Sequence, residues 1–339
     1  MKDSSLHFFL LLLLSSCSGL FMEDQKINTA QNNLELLWKI IDERYCFFEE
    51  KSVDWNQVYK DYCRDRNFGS DFDPNSSWTL FETMTQMLAE LRDGHVCLDN
   101  GDYTRCYSGW YSGYPENFSY SRIRAYINQD RNSIYLENGT SFSILPESIG
   151  YIRCPSFTDK FNRYDLDKAM LRFNGLKGVI IDVRNNGGGL MSEAYLLASK
   201  FTNKKTHVGY VRYKTGKGHN DFSDYFARYI EPEGDSQFHG KVAILTNRRV
   251  YSTANMFVSV MSNLPQVAII GDHTGGGGGV PISAELYNGW SVKLSTNPMF
   301  DKQKRSIESG VKPNFNVELN RNNQIDNIIE FAKEWILAN

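Results

Sequence analysis

Lys177-Gly178-Val179-Ile180-Ile181-Asp182-Val183-Arg184-Asn185-Asn186-Gly187-Gly188-Gly189 is the stretch from which the fold reads. Val179, Ile180, Ile181 and Val183 form an apolar, β-branched run, too short to span a membrane, that reads as a buried strand. Three glycines end it, and Leu190 to Lys200 continues with helix formers. The order strand, glycine turn, helix brings backbone N–H groups to the carboxyl end of the strand, where they can hold an anion or a developing oxyanion. A nucleotide fits poorly. After Gly187-Gly188-Gly189 the chain reads Leu190-Met191-Ser192, without the third glycine of a dinucleotide fingerprint and without the Gly-Lys-Ser/Thr of a phosphate loop. The plainer alternative is a tight turn that lets helix and strand pack.

Working outward, the 339 residues exceed one average domain, and 41% hydrophobic residues supply a sizeable core. A net charge of -3 points away from polyanions, so no nucleic-acid partner is expected. At the N-terminus Lys2 precedes an apolar block, Leu6 to Leu14, whose length suits a secretory signal and not a permanent membrane helix. Leu14-Ser15-Ser16-Cys17 resembles a bacterial lipobox. That resemblance implies loss of residues 1–16, lipidation of Cys17, a tether over 17–30 and attachment to the cell envelope through an N-terminal lipid. An ordinary signal peptide with a chance cysteine is the simpler alternative. Cys46, Cys63, Cys97, Cys106 and Cys154 remain, an odd number that leaves at least one free thiol. Buried thiols are the first expectation; export also permits a disulfide among the first four, with the pair undetermined. Neither Cys-x-x-Cys nor His-Glu-x-x-His occurs, so no metal or cofactor is expected.

Along the chain, Leu34, Leu37, Trp38, Ile41 and Tyr45 recur at helical spacing. Asp54 with Gln57 resembles a capping box before a second helix, and Pro74 and Ser77 introduce a third, striped by Phe81, Met84, Leu88 and Leu91. Residues 31–98 therefore read as a helical domain, with Gly94 expected at the helix C′ position. Residues 99–147, rich in Tyr, Ser, Gly and Asn, read as a small β-rich connection. From 148 to 339 strands and helices alternate, which predicts a layered α/β core, and Asn288-Gly289 marks a hairpin.

Ser252 stands where the strand Lys241 to Leu245 gives way to a helix. It reads either as an ordinary N-cap or as a nucleophile whose following N–H stabilises an oxyanion. A nucleophile needs a base, and His95, in Asp93-Gly94-His95, is a candidate, although a lone histidine in such a place is more often structural than catalytic.

Six segments occur in this order: Asp93-Gly94-His95, Gly150-Tyr151-Ile152, Ile181 to Gly189, Val242 to Ser252, Gly271-Asp272-His273-Thr274-Gly275-Gly276, and Gly310-Val311-Lys312-Pro313. The series resembles the C-terminal processing peptidase and tricorn-core superfamily of serine peptidases, over roughly residues 30 to 339. The resemblance implies a crotonase-like α/β core behind a helical domain. It also implies cleavage of peptides or unfolded proteins by acyl transfer from the peptide to the serine and then to water. In the processing version a lysine about 25 residues after the serine activates it, and here that position holds Gly277. The tricorn-like version takes its base from the Asp-Gly-His segment, which implies His95 as base and Glu308 as the residue that orients the dyad. It also implies oxyanion donors at the N–H groups of Gly188 and Thr253. Two positions depart from the pattern: Ser252-Thr253-Ala254-Asn255 replaces Ser-Ala-x-Glu, and Pro313-Asn314 replaces Pro-Asp. No PDZ module is evident between His95 and Gly150. The competing function is a catalytically silent lipoprotein that holds peptides or a protein partner in the same cleft.

Overall fold

The computed structural model describes residues 28–64, 73, 75 and 77–338. The predicted signal segment 1–16, Cys17, most of the 17–30 tether and Pro74 lie outside the described residues. Four helices come first: α1 (Ala30–Arg44), α2 (Phe48–Lys51), α3 (Trp55–Tyr62) and α4 (Trp78–Ala89). α1 buries Leu34, Leu37 and Ile41, three and four residues apart, and the Thr29 side chain caps it by accepting the Asn32 N–H. Asp54 and Ser77 cap α3 and α4 in the same way. Gly94 is not the C′ residue. α4 ends at Ala89, and Arg92 takes the left-handed conformation two residues before Gly94. Gly94 answers a different constraint, because a Cβ there would lie 2.3 Å from the Trp110 indole nitrogen and 2.9 Å from the Tyr251 hydroxyl.

The chain continues through β1 (Cys97–Asp99), β2 (Thr104–Cys106), α5 (Tyr120–Ile127), β3 (Ile134–Tyr135), β4 (Ser141–Leu145), β5 (Ile149–Arg153), α6 (Arg163–Leu171), β6 (Gly178–Asp182) and α7 (Met191–Ser199). Then come β7 (Thr206–Val211), β8 (Phe226–Ile230), β9 (Lys241–Thr246), α8 (Thr253–Met261), β10 (Val267–Gly271), β11 (Gly279–Glu285), β12 (Ser291–Phe300), β13 (Phe315–Asn316) and α9 (Asn327–Leu337). Seven strands form one sheet in the order β13-β10-β9-β6-β5-β4-β3, parallel from β13 to β5. The strand of the opening sequence is thus central. Its alternate side chains serve two cores: Val179 and Ile181 pack with α6, α7 and α8, while Ile180 packs with α5 and α9. Each fully buried aliphatic side chain is worth roughly 1.5–3 kcal/mol, so both faces hold the strand in register.

A second sheet, β2-β1-β12-β7-β8 with β11 on β12, carries the helices α1 to α4. The core of those helices includes Leu98 of β1 and Val292 and Leu294 of β12, so the helical unit extends beyond residue 98. The segment 99–147 also differs from its reading as a β-rich connection: it contains α5, and β3 and β4 belong to the seven-stranded sheet. Cys97 and Cys106 stand opposite each other across β1 and β2 and form a disulfide, while Cys46, Cys63 and Cys154 are thiols.

Candidate active site

The parallel neighbours β6 and β9 bring the glycine turn and the Ser252 turn together. The Asn185 N–H donates to Asn247 Oδ1 at 3.0 Å, and Asn247 Nδ2 donates back to Asn185 Oδ1 at 2.6 Å. Asn186 accepts the Tyr251 N–H on its carbonyl at 3.1 Å. Ser252 itself sits at the N-cap position of α8 with φ 56° and ψ -126°, a conformation that costs about 1–3 kcal/mol unless its surroundings impose it. Its N–H is fixed by Gly276 O at 2.8 Å, and its hydroxyl makes no capping bond. Of the two readings of this serine, the capping one therefore fails.

The hydroxyl meets His95 instead, with Ser252 Oγ 2.8 Å from His95 Nε2 across 157 residues of sequence. His95 is buried, and its backbone N–H donates to Asp93 Oδ1 at 2.8 Å. Desolvation pushes its imidazole down to about 4, against the pull of the Asp93 charge, so the ring is neutral near neutral pH and free to take a proton. With the Ser252 hydroxyl donating to Nε2, the ring proton sits on Nδ1. That nitrogen faces Ser295 Oγ at 3.5 Å, the outer limit of a hydrogen bond. The β1–β12 register, which pairs Cys97 with Lys293, runs back to set His95 opposite Ser295.

No hydrogen bond links Glu308 to His95 among the described residues. One Glu308 oxygen lies 2.6 Å from Lys51 Nζ of α2, and the other accepts the Gly278 N–H at 2.7 Å. Burial, then the nearby Asp93 charge, raises the Glu308 carboxyl to about 8, while Lys51 and the Gly278 N–H oppose that rise. The predicted orienting glutamate is thus a member of a buried charge group with Lys51 and Asp93, and Ser295 occupies the place next to the His95 ring.

The two N–H groups expected to act as oxyanion donors differ in their engagement. Thr253 N begins α8 and so has no acceptor within the helix. The Gly188 N–H, however, donates to Asn186 Oδ1 at 2.9 Å, so its expected role requires that bond to be exchanged for one to substrate. What Gly188 supplies at rest is space: a Cβ there would lie 2.8 Å from Thr253 N and 3.0 Å from the Ser252 Cβ, and its φ of 104° suits glycine. Thr253 Oγ1 ties the two turns by donating to Gly189 O. At Gly277, with φ 81°, a Cβ would lie 2.6 Å from the Tyr251 ring, so no lysine fits there beside the serine. Both departures from the pattern have structural partners. Asn255 donates to Ile307 O at 2.8 Å and accepts from Thr274 at 2.7 Å, and Asn314 pairs with the Ile269 backbone in both directions at 2.8 Å.

Residues 148–317 match the profile of peptidase family S41. The chain belongs to this family. Residues 28–64 match the tricorn protease C1 domain. Among solved structures, a candidate peptidase from Parabacteroides merdae is 38% identical, with a TM-score of 0.83 over 91% of this chain and 97% of that one. Mature CPAF shares the fold at a TM-score of 0.68 and 12% identity, over 91% of this chain and 96% of that one. The carboxy-terminal processing protease CtpA of Bacillus subtilis is 28% identical over 175 residues, 51% of this chain and 35% of CtpA. The match thus spans about a third of the length of that S41 relative. No helix among the described residues is long and apolar enough to cross a membrane.

Proposed function

We propose that the protein is a serine peptidase of the cell envelope, lipid-anchored through Cys17, that cleaves peptides or unfolded proteins by way of an acyl-enzyme. The 2.8 Å contact between Ser252 Oγ and His95 Nε2 carries this reading. His95 Nε2 takes the Ser252 proton as Oγ attacks the peptide carbonyl carbon, and the Thr253 N–H receives the developing oxyanion. The imidazolium then returns its proton to the leaving amine. Water, deprotonated by the same nitrogen, attacks the ester and releases Ser252. Family membership and the names of the processing-protease relatives support the reaction class.

The test is labelling of the mature protein with a fluorophosphonate, beside Ser252→Ala and His95→Ala, followed by mass mapping. An adduct on Ser252 that both substitutions abolish is the expected result. A folded protein that never labels would instead identify a silent peptide-binding lipoprotein.

A further inference from the structure

Lys51 is the last residue of α2, and its ammonium group ends between the two segments that carry the dyad. Its side chain is largely buried, with 16% exposed. A buried charge is costly unless its hydrogen-bonding groups find partners, and here they find two. Nζ lies 2.6 Å from Glu308 Oε1 and donates to Arg92 O at 3.0 Å. The Arg92 guanidinium donates back to the Lys51 carbonyl, which closes a reciprocal pair. α2 is itself held in place. Phe48 is buried in the core of the helical unit, and the Cys46 N–H donates to Ser295 O at 3.2 Å.

Each acceptor of Lys51 leads to a residue in a costly backbone conformation. Arg92, three residues before His95, has φ 49°, and Ser252 has φ 56°. Positive φ at a residue with a side chain persists only where the surroundings impose it. At Arg92 the restraint is direct, because Lys51 holds its carbonyl. At Ser252 it runs through Glu308. Glu308 Oε2 accepts the Gly278 N–H at 2.7 Å and Glu308 O accepts the Gly277 N–H at 3.2 Å, while Gly276 O of the same loop accepts the Ser252 N–H at 2.8 Å. We infer that Lys51 is a positioning residue for the dyad: by holding Arg92 on one side and Glu308 on the other, it sets the approach of Ser252 Oγ to His95 Nε2. This inference rests on the peptidase reading above. No hydrogen bond links Lys51 to Ser252 or His95 among the described residues, so its influence on proton transfer is exerted through distance. A misplacement of about 1 Å can cost roughly a hundredfold in rate.

The test follows adduct formation at Ser252 in the full mature chain over a range of fluorophosphonate concentrations, with each rate divided by the folded fraction from near-ultraviolet circular dichroism. A lysine that only stabilises the fold would leave this corrected rate unchanged. Lys51→Met should instead lower the maximal rate by about 10- to 100-fold and leave the half-saturating concentration within about twofold. Lys51→Gln, which is polar and too short to reach both acceptors, should show the same loss and serves where the Met variant does not fold. Adding Glu308→Gln to either variant should slow it by less than about a further twofold, because the two residues act through one connection. Losses that multiply would separate Glu308 from Lys51 and overturn the connection. If wild type labels but the folded Lys51 variants label at its rate, the positioning role is overturned and the peptidase reading stands. If wild type itself never labels, both fall.

Discussion

Two buried charge groups flank the central strand, and they are balanced differently. On the α9 side, Arg184 is fully buried between two carboxylates, with Nη2 2.6 Å from Asp182 and Nη1 3.0 Å from Asp326. Arg153 adds a second cation 4.0 Å from Asp182, and the Tyr151 hydroxyl donates to Asp182 at 2.7 Å. Two cations meet two anions. Burial disfavours the Asp182 charge, but Arg184 and Arg153 outweigh it and hold the carboxyl below its usual range. Behind His95, by contrast, Lys51 is the cation for both Asp93 and Glu308. Here the shifts run toward neutrality, down for His95 and up for Glu308. A group with matched charges fixes architecture. One that is a cation short pushes its buried groups toward their uncharged forms.

The comparison can be broken at its strongest point first. Arg184→Ala leaves two carboxylates buried without their main partner and should cost about 3–5 kcal/mol of unfolding free energy by denaturant titration. The residual folded protein should keep the phosphonate reactivity of Ser252 within a few-fold. Lys51→Met should cost less, about 3 kcal/mol, because Glu308 can keep a proton. The deficit should also depend on pH. A raised Glu308 pKa contributes stability that is full below about 4.5 and is lost as pH rises through about 8, and removing Lys51 should steepen that loss. Equal losses at pH 5 and pH 8 would remove Glu308 from the account.

His95 gives the opposite slope. Its depressed pKa means that stability is full above about 6.5 and falls as pH drops toward about 4, so wild type should lose more stability over that interval than His95→Ala. The acid limb of the labelling rate should likewise lie below 6.5. Smallest of all, Ser295→Ala removes a contact at the limit of hydrogen bonding and should slow labelling by less than about tenfold, with the pH limb displaced. A loss as large as that of His95→Ala would make Ser295 indispensable to the base.

Much of the frame was legible in the chain. The β-branched run 179–181 could only be a strand buried on both faces, and Asn288-Gly289 turned where a left-handed glycine was required, with Gly289 at φ 82°. Ser252 and His95 became a pair through the order of six motifs, not through local chemistry. What stayed hidden depends on strand register or on a distant partner. Nothing near Lys51 or Ser295 announces that one will meet Glu308 and the other will face His95. The pairing of Cys97 with Cys106 follows from the β1–β2 register, which sequence did not supply. α5 escaped because its stripe, Ile123, Tyr126 and Ile127, is short and set among Tyr, Arg and Ser. The departures at Asn255 and Asn314 looked like lost carboxylates and turned out to be backbone clamps.

His95 and Ser252 are flanked by residues of different hydrophobic cores. Val96 and Leu98, which follow His95, pack with α1 and α4, whereas Val250 and Ala254 beside Ser252 pack with α7 and the central strand. A chain emerging from its ribosome displays His95 157 residues before Ser252. The long strand β12, which backs the histidine with Ser295, comes later still. The Ser252–His95 contact therefore forms only once the residues of both cores and of β12 are present.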